Sequence, residues 1–189
     1  YRVADLALLG DMTPQDLLGR PLLDFIPRAL HDRLDQLVLA QTGGTTGQGT
    51  WTAYRDDEFV EAFVLPFVAA ASHVGFPARE SWLFIGPSGP HVIGKVVRHL
   101  ASALGSADPF SVDFDPRWAK KLAENTMGRR RYLAHVVEQA MDVIGSQEIG
   151  VLFTTPPVLE ALAEAMVESQ RLRIRGEYVS GVIETTALD

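Results

Sequence analysis

The chain has 189 residues, 47% of them hydrophobic, with no cysteine and a formal net charge of −7. That length suffices for one sizeable core, or for one domain with an appendage. The missing cysteines exclude disulfides, thiolate metal sites and a cysteine nucleophile, and the acidic balance argues against non-specific binding to nucleic acid or to acidic membranes.

The first residues lack the basic start and apolar core of a secretion signal. Nowhere do about 18 apolar residues run together, so no membrane-spanning helix is expected and a cytoplasmic setting is. The opening at Tyr1 instead of Met reads as a fragment or a processed form. Thr13-Pro14 reads as a helix cap followed by proline at the first helical position. Leu17, Leu18, Leu22, Leu23 and Phe25 follow, broken by Gly19 and two prolines, which predicts several short helices over residues 1–36. Leu37 to Ala40 is a short strand, and Thr50 to Tyr54 is a second strand-like run. Asp56 and Asp57 open a long apolar helix to about His73, with Pro66 inside it, where proline kinks a helix.

Ser81 to Ile85 reads as a buried strand, Gly86 to His91 as a rigid loop and Val92 to Leu104 as a helix. Pro109 to Phe114 is a strand, and Asp115-Pro116 starts a helix. Arg130 to Ile144 is a helix with Leu133, Val136, Val137, Ala140 and Ile144 on one face. Ile149 to Phe153 is a strand, and Thr154-Thr155-Pro156-Pro157 caps a helix reaching about Ser169. Leu172 to Ile174 reads as a strand and Glu177 to Thr185 as a hairpin turning at Ser180-Gly181. Strands alternating with helices predict an α/β fold, a mainly parallel sheet with helices on both faces. The expected organisation is a helical segment at 1–36, an α/β nucleotide-binding core at 37–176, and a hairpin or remnant at 177–189.

The stretch between the first two strands carries the chemistry: Gln41-Thr42-Gly43-Gly44-Thr45-Thr46-Gly47-Gln48-Gly49. Such a loop has no apolar face to bury. It offers free backbone N–H groups and hydroxyls, the donors that phosphate oxygens require. It lacks the Gly-Lys-Ser/Thr of a Walker loop and the spacing of a dinucleotide fingerprint. The alternative is a flexible surface connection between two strands.

The order of residues resembles the signature loop of the adenylate-forming enzymes, the superfamily of acyl-coenzyme A synthetases, luciferase and peptide-synthetase adenylation domains. That pattern is Ser/Thr-Ser-Gly-Thr-Thr-Gly-x-Pro-Lys. Thr42, Gly44, Thr45, Thr46 and Gly47 match it, while Gly43 replaces Ser, Gly49 replaces Pro and Thr50 replaces Lys. Threonine at that last place looks most like the phenylacetate–coenzyme A ligase branch. The resemblance implies that Thr42, Gly43, Gly44, Thr45, Thr46 and Gly47 wrap the β- and γ-phosphates of ATP.

Gly86-Pro87-Ser88-Gly89-Pro90-His91-Val92-Ile93-Gly94 resembles the part of that branch that lines the carboxylate pocket. By that resemblance Ser88, Gly89 and His91 bind substrate, and His91 sits near the carboxylate or the α-phosphate as a catalytic residue. The local alternative is that His91 simply caps the helix starting at Val92. His73, His99 and His135 read as helix-surface residues. Gly150 to Leu162 looks like an architectural strand–helix unit of the same superfamily, with Thr154 and Thr155 as caps first and pocket residues second. Arg129-Arg130-Arg131 reads as a solvated face. Asp113 and Asp115 flank Phe114 without enough oxygen ligands for a metal site.

The resemblance spans about residues 1–176 and implies the large N-terminal domain of a longer enzyme. The adenine- and ribose-binding segments and the small domain bearing a catalytic lysine are not identifiable in the sequence. The implied reaction has two halves: a small carboxylic acid attacks the α-phosphate of Mg²⁺·ATP, and the acyl group then passes to a thiol of coenzyme A or a carrier protein. Two alternatives remain open: adenylation of another small oxyanion such as nitrite, as in diazotases, and a non-catalytic α/β interaction module. The oligomeric state stays open, with a homodimer among the alternatives.

Overall fold

A computed structural model of the chain describes residues 13–17, 19–41, 49–122 and 126–169. The phosphate-loop candidates Thr42 to Gly47, the strand expected at Leu172 to Ile174 and the hairpin expected after Glu177 lie outside these. The chain divides between Asp56 and Asp57 into two compact units. The boundary falls after the first two strands.

In the first unit, helix α1 (Pro14–Leu17) is followed by two 3₁₀ segments, Leu22–Phe25 and Arg28–Gln36. Asp16 accepts from both the backbone N–H and the hydroxyl of Thr13, at 2.7 and 2.8 Å. Thr13 thus tethers the first turn as a donor, where the sequence suggested an acceptor cap. Strands β1 (Leu37–Gln41) and β2 (Trp51–Arg55) pair antiparallel, with Gln41 opposite Trp51. The Gly/Thr stretch is therefore the connection of a hairpin. At its base the Gln41 side-chain amide donates to the Gly49 carbonyl at 3.4 Å.

In the second unit the expected long helix is three pieces. Helix α2 (Asp56–Phe59) leads into a π turn over Val60–Val64 and then helix α3 (Leu65–Val74). Pro66 has no N–H to give the fourth carbonyl before it, and its ring crowds that turn. The wider turn ahead of it takes up the mismatch, with the Leu65 N–H reaching back to the Val60 carbonyl. Gly75 ends α3 in the left-handed conformation, φ 67°.

The rest is a parallel α/β layer. Strands β3 (Trp82–Gly86), β4 (Phe110–Asp113) and β5 (Val151–Thr154) form a sheet in the order β4-β3-β5, all parallel. Helix α4 (Val92–Ala103) joins β3 to β4, helices α5 (Pro116–Lys121) and α6 (Met127–Ser146) join β4 to β5, and α7 (Pro156–Ser169) follows β5. Parallel strands covered on both faces need continuous apolar runs, and Trp82 to Ile85 supplies one. Its alternation sorts two cores: Leu83 and Ile85 pack with Val136, Ala140, Ile144, Val158 and Leu162 of α6 and α7. Trp82 and Phe84 face the other way, onto Val97, Leu100 and Ala101 of α4 and Val64. An α/β architecture with a parallel sheet flanked by helices is thus as the sequence predicts.

Candidate functional site

The helix after β3 lies on one face of the sheet and the helix after β5 on the other, although β3 and β5 are neighbours. Such a reversal opens a crevice at the carboxyl ends of the strands, the usual ligand position in open α/β sheets. Ser88, His91, Asp113, Asp115 and Arg117 lie along that edge.

The loop leaving β3 is shaped by contact. At Gly94, in the first turn of α4, an added Cβ would stand 2.7 Å from the Pro87 carbonyl oxygen. Only glycine lets the helix start so close to the loop. Ser88 is exposed, and its N–H and hydroxyl both donate to Asp113 Oδ1 at 2.8 Å, pinning the loop to the end of β4. Gly89 is exposed beside it, with open space where a side chain would project.

His91 occupies the N-cap position of α4 in backbone terms, yet its side chain makes no capping bond. The residue is 9% exposed, and its Nε2 lies 2.6 Å from Nη2 of Arg117. A guanidinium only donates, so Nε2 is the acceptor and the proton of the neutral ring is on Nδ1. Burial lowers the His91 pKa first and the Arg117 charge lowers it further, against the opposing pull of Asp115 and Asp113. All of these keep or oppose one species, the neutral imidazole, and the first two prevail.

Arg117 sits in the first turn of α5, where the helix dipole disfavours a cation. Asp115 offsets this. It is the N-cap, accepting from the Arg117 backbone N–H at 2.8 Å, and its Oδ1 stands 3.6 Å from Arg117 Nε. The Asp115 N–H in turn donates to the Tyr132 hydroxyl of α6 at 2.9 Å, and Tyr132 stacks on Phe114 with ring centres 5.7 Å apart. The guanidinium is therefore held between a carboxylate and a neutral imidazole while its side chain stays 35% exposed.

Thr154, at the end of β5, is buried and its hydroxyl donates to the Ile85 carbonyl at 2.9 Å. It joins the two neighbouring strands. Thr155 carries the start of that helix through its carbonyl, which accepts from Val158 and Leu159. His99 departs from the surface position expected of it: its ring is half-buried, packed against Phe59 and bonded through Nδ1 to the Lys95 carbonyl. His73 and His135 are exposed.

Ser88, Gly89 and His91 thus lie together on the β3–α4 loop, with Ser88 bonded to the carboxylate of Asp113 and His91 to the guanidinium of Arg117. Arg117 escaped sequence reasoning, although a cation directly behind an Asp-Pro helix start was a legible clue. Among the described residues no group of three or more His, Asp or Glu side chains could hold a metal ion, and no helix is long and apolar enough to cross a membrane. No protein-family model matches the chain, and no curated protein does.

Proposed function

We propose that the chain is part of the large N-terminal domain of an adenylate-forming enzyme, which activates a small carboxylic acid with ATP and passes the acyl group to a thiol of coenzyme A or a carrier protein. The observation that carries this reading is the gathering of Ser88, His91, Asp113, Asp115 and Arg117 at the carboxyl edge of a parallel sheet. The Thr42 to Gly47 stretch supports it by composition and by lying between paired strands.

In this reading the loop hydroxyls and N–H groups hold the β- and γ-phosphates, so that pyrophosphate leaves into fixed donors. His91 and Ser88 orient the acid at the strand ends. Mg²⁺ arrives with the ATP: Asp113 and Asp115 are already occupied by Ser88 and Arg117 donors and do not form a dedicated metal cage. Thr50, where the family pattern has lysine, leaves more of the phosphate charge to that ion and to backbone donors.

The test is exchange of labelled pyrophosphate into ATP by the full-length protein, with a panel of carboxylic acids and with nitrite. Exchange that depends on a carboxylic acid supports the reading. Exchange driven by nitrite alone moves the substrate to another oxyanion. No exchange with any acid, from protein that is folded and complete, defeats it in favour of a non-catalytic module.

A further inference from the structure

The contact between His91 and Arg117 is unusual in what it joins. Two side chains that commonly carry positive charge meet at 2.6 Å, one of them buried, at the edge where a ligand would enter. Tethers fix both ends. His91 is set by the start of α4, and Arg117 by Asp115 through its own backbone and its Nε. The guanidinium spends one Nη2 hydrogen on His91 and turns Nε to Asp115, and its side chain remains accessible to solvent. The charges nearby are Arg117 on α5, Asp115 at its cap and Asp113 at the end of β4. With His91 neutral, the two carboxylates that act on it outnumber the one guanidinium, so the resting cluster carries an excess negative charge.

We infer that Arg117 and His91 form an oxyanion site, in which a carboxylate or phosphoryl oxygen takes the place of their direct hydrogen bond and a proton is taken up at His91. The uptake offsets the incoming charge: two cations then face two carboxylates and the anion, so a singly charged anion leaves the net charge of the cluster as it was. It also turns Nε2 from acceptor to donor, so His91 and Arg117 both donate to the same ligand, and charge-assisted bonds of that kind are the stronger ones. The ligand class rests on the acid-activation reading, but the site does not require turnover to be observed.

The experiment follows the histidine ring signals of the full chain by NMR as sodium sulfate or sodium benzoate is added. Sulfate stands in for phosphoryl oxygens and benzoate for a carboxylate, and each keeps its charge through the range where histidine titrates. The expected result is a rise in the His91 pKa with one or both anions, the stronger response naming the source. Arg117→Gln should weaken that response about tenfold, Arg117→Lys should retain part of it, and Lys120→Gln on the same helix should leave it unchanged. Backbone amide spectra establish that each variant is folded. Unmoved His91 signals in the parent protein, or equal responses from the parent and Arg117→Gln, overturn the inference. Anion-linked shifts without pyrophosphate exchange sustain this site and defeat only the ligase reading. Exchange without the shifts does the reverse.

Discussion

His91 is where local sequence and tertiary placement meet. Its position between a Gly/Pro loop and an apolar helix marks it as a cap or a ligand, and the structure gives it a third task, accepting a hydrogen bond from Arg117. That task requires a neutral ring. Its pKa is lowered from 6.5, first by burial and then by Arg117, so the folded protein binds the proton less readily than the unfolded chain does. Stability from this group is therefore fully present above the unfolded value, falls as pH drops from there to the lower folded value, and levels off below it. Urea unfolding from neutral to mildly acidic pH should show this loss, and His91→Gln should flatten that part of the profile. A profile identical in the two proteins would show that the ring is not held neutral by its surroundings. Arg117 was not legible in the same way, because its partner lies 26 positions away and only the β3–β4 pairing brings the two together.

At the scale of elements, the apolar runs were the strongest signal. Trp82 to Ile85 and Val151 to Phe153 read as buried strands because parallel strands covered on both faces have no polar side. Val136, Ala140 and Ile144 mark the inner face of α6 by their helical spacing. What the sequence could not deliver was the answer to Pro66. A proline inside an apolar helix signals a break, but whether the chain kinks or widens by one residue is decided by packing around Phe59 and Val64, both of which are buried. The start of α4 gives a sharper test. Alanine at Gly94 gains about 1 kcal/mol of helix propensity, but its Cβ meets a backbone carbonyl that cannot rotate aside. Overpacking of this kind costs about 1–3 kcal/mol. Gly94→Ala should therefore lower stability in urea unfolding and weaken the oxyanion response at His91; a stabilised variant with an intact response would contradict the close approach.

At the scale of the whole chain, the alternation of strands and helices made the α/β layer legible. Strand runs on both sides of the Asp56-Asp57 pair look alike in sequence, yet β1 and β2 pair with each other and β3, β4 and β5 form a separate sheet. The second unit holds the larger core, centred on β3. Ile85→Ala there should cost about 2–5 kcal/mol, since the side chain is fully buried between β4, β5 and the α6 layer. Val167→Ala, at a side chain 79% exposed, should stay within about 0.5 kcal/mol. Equal effects at the two positions in thermal or urea unfolding would mean that the core is misplaced. The most direct measurement is calorimetry of Mg²⁺·ATP binding to the full-length protein and to its Thr45→Ala, Thr46→Ala double variant. The account predicts binding by the parent and clearly weaker binding by a double variant that remains folded; equal affinity in the two proteins would contradict it.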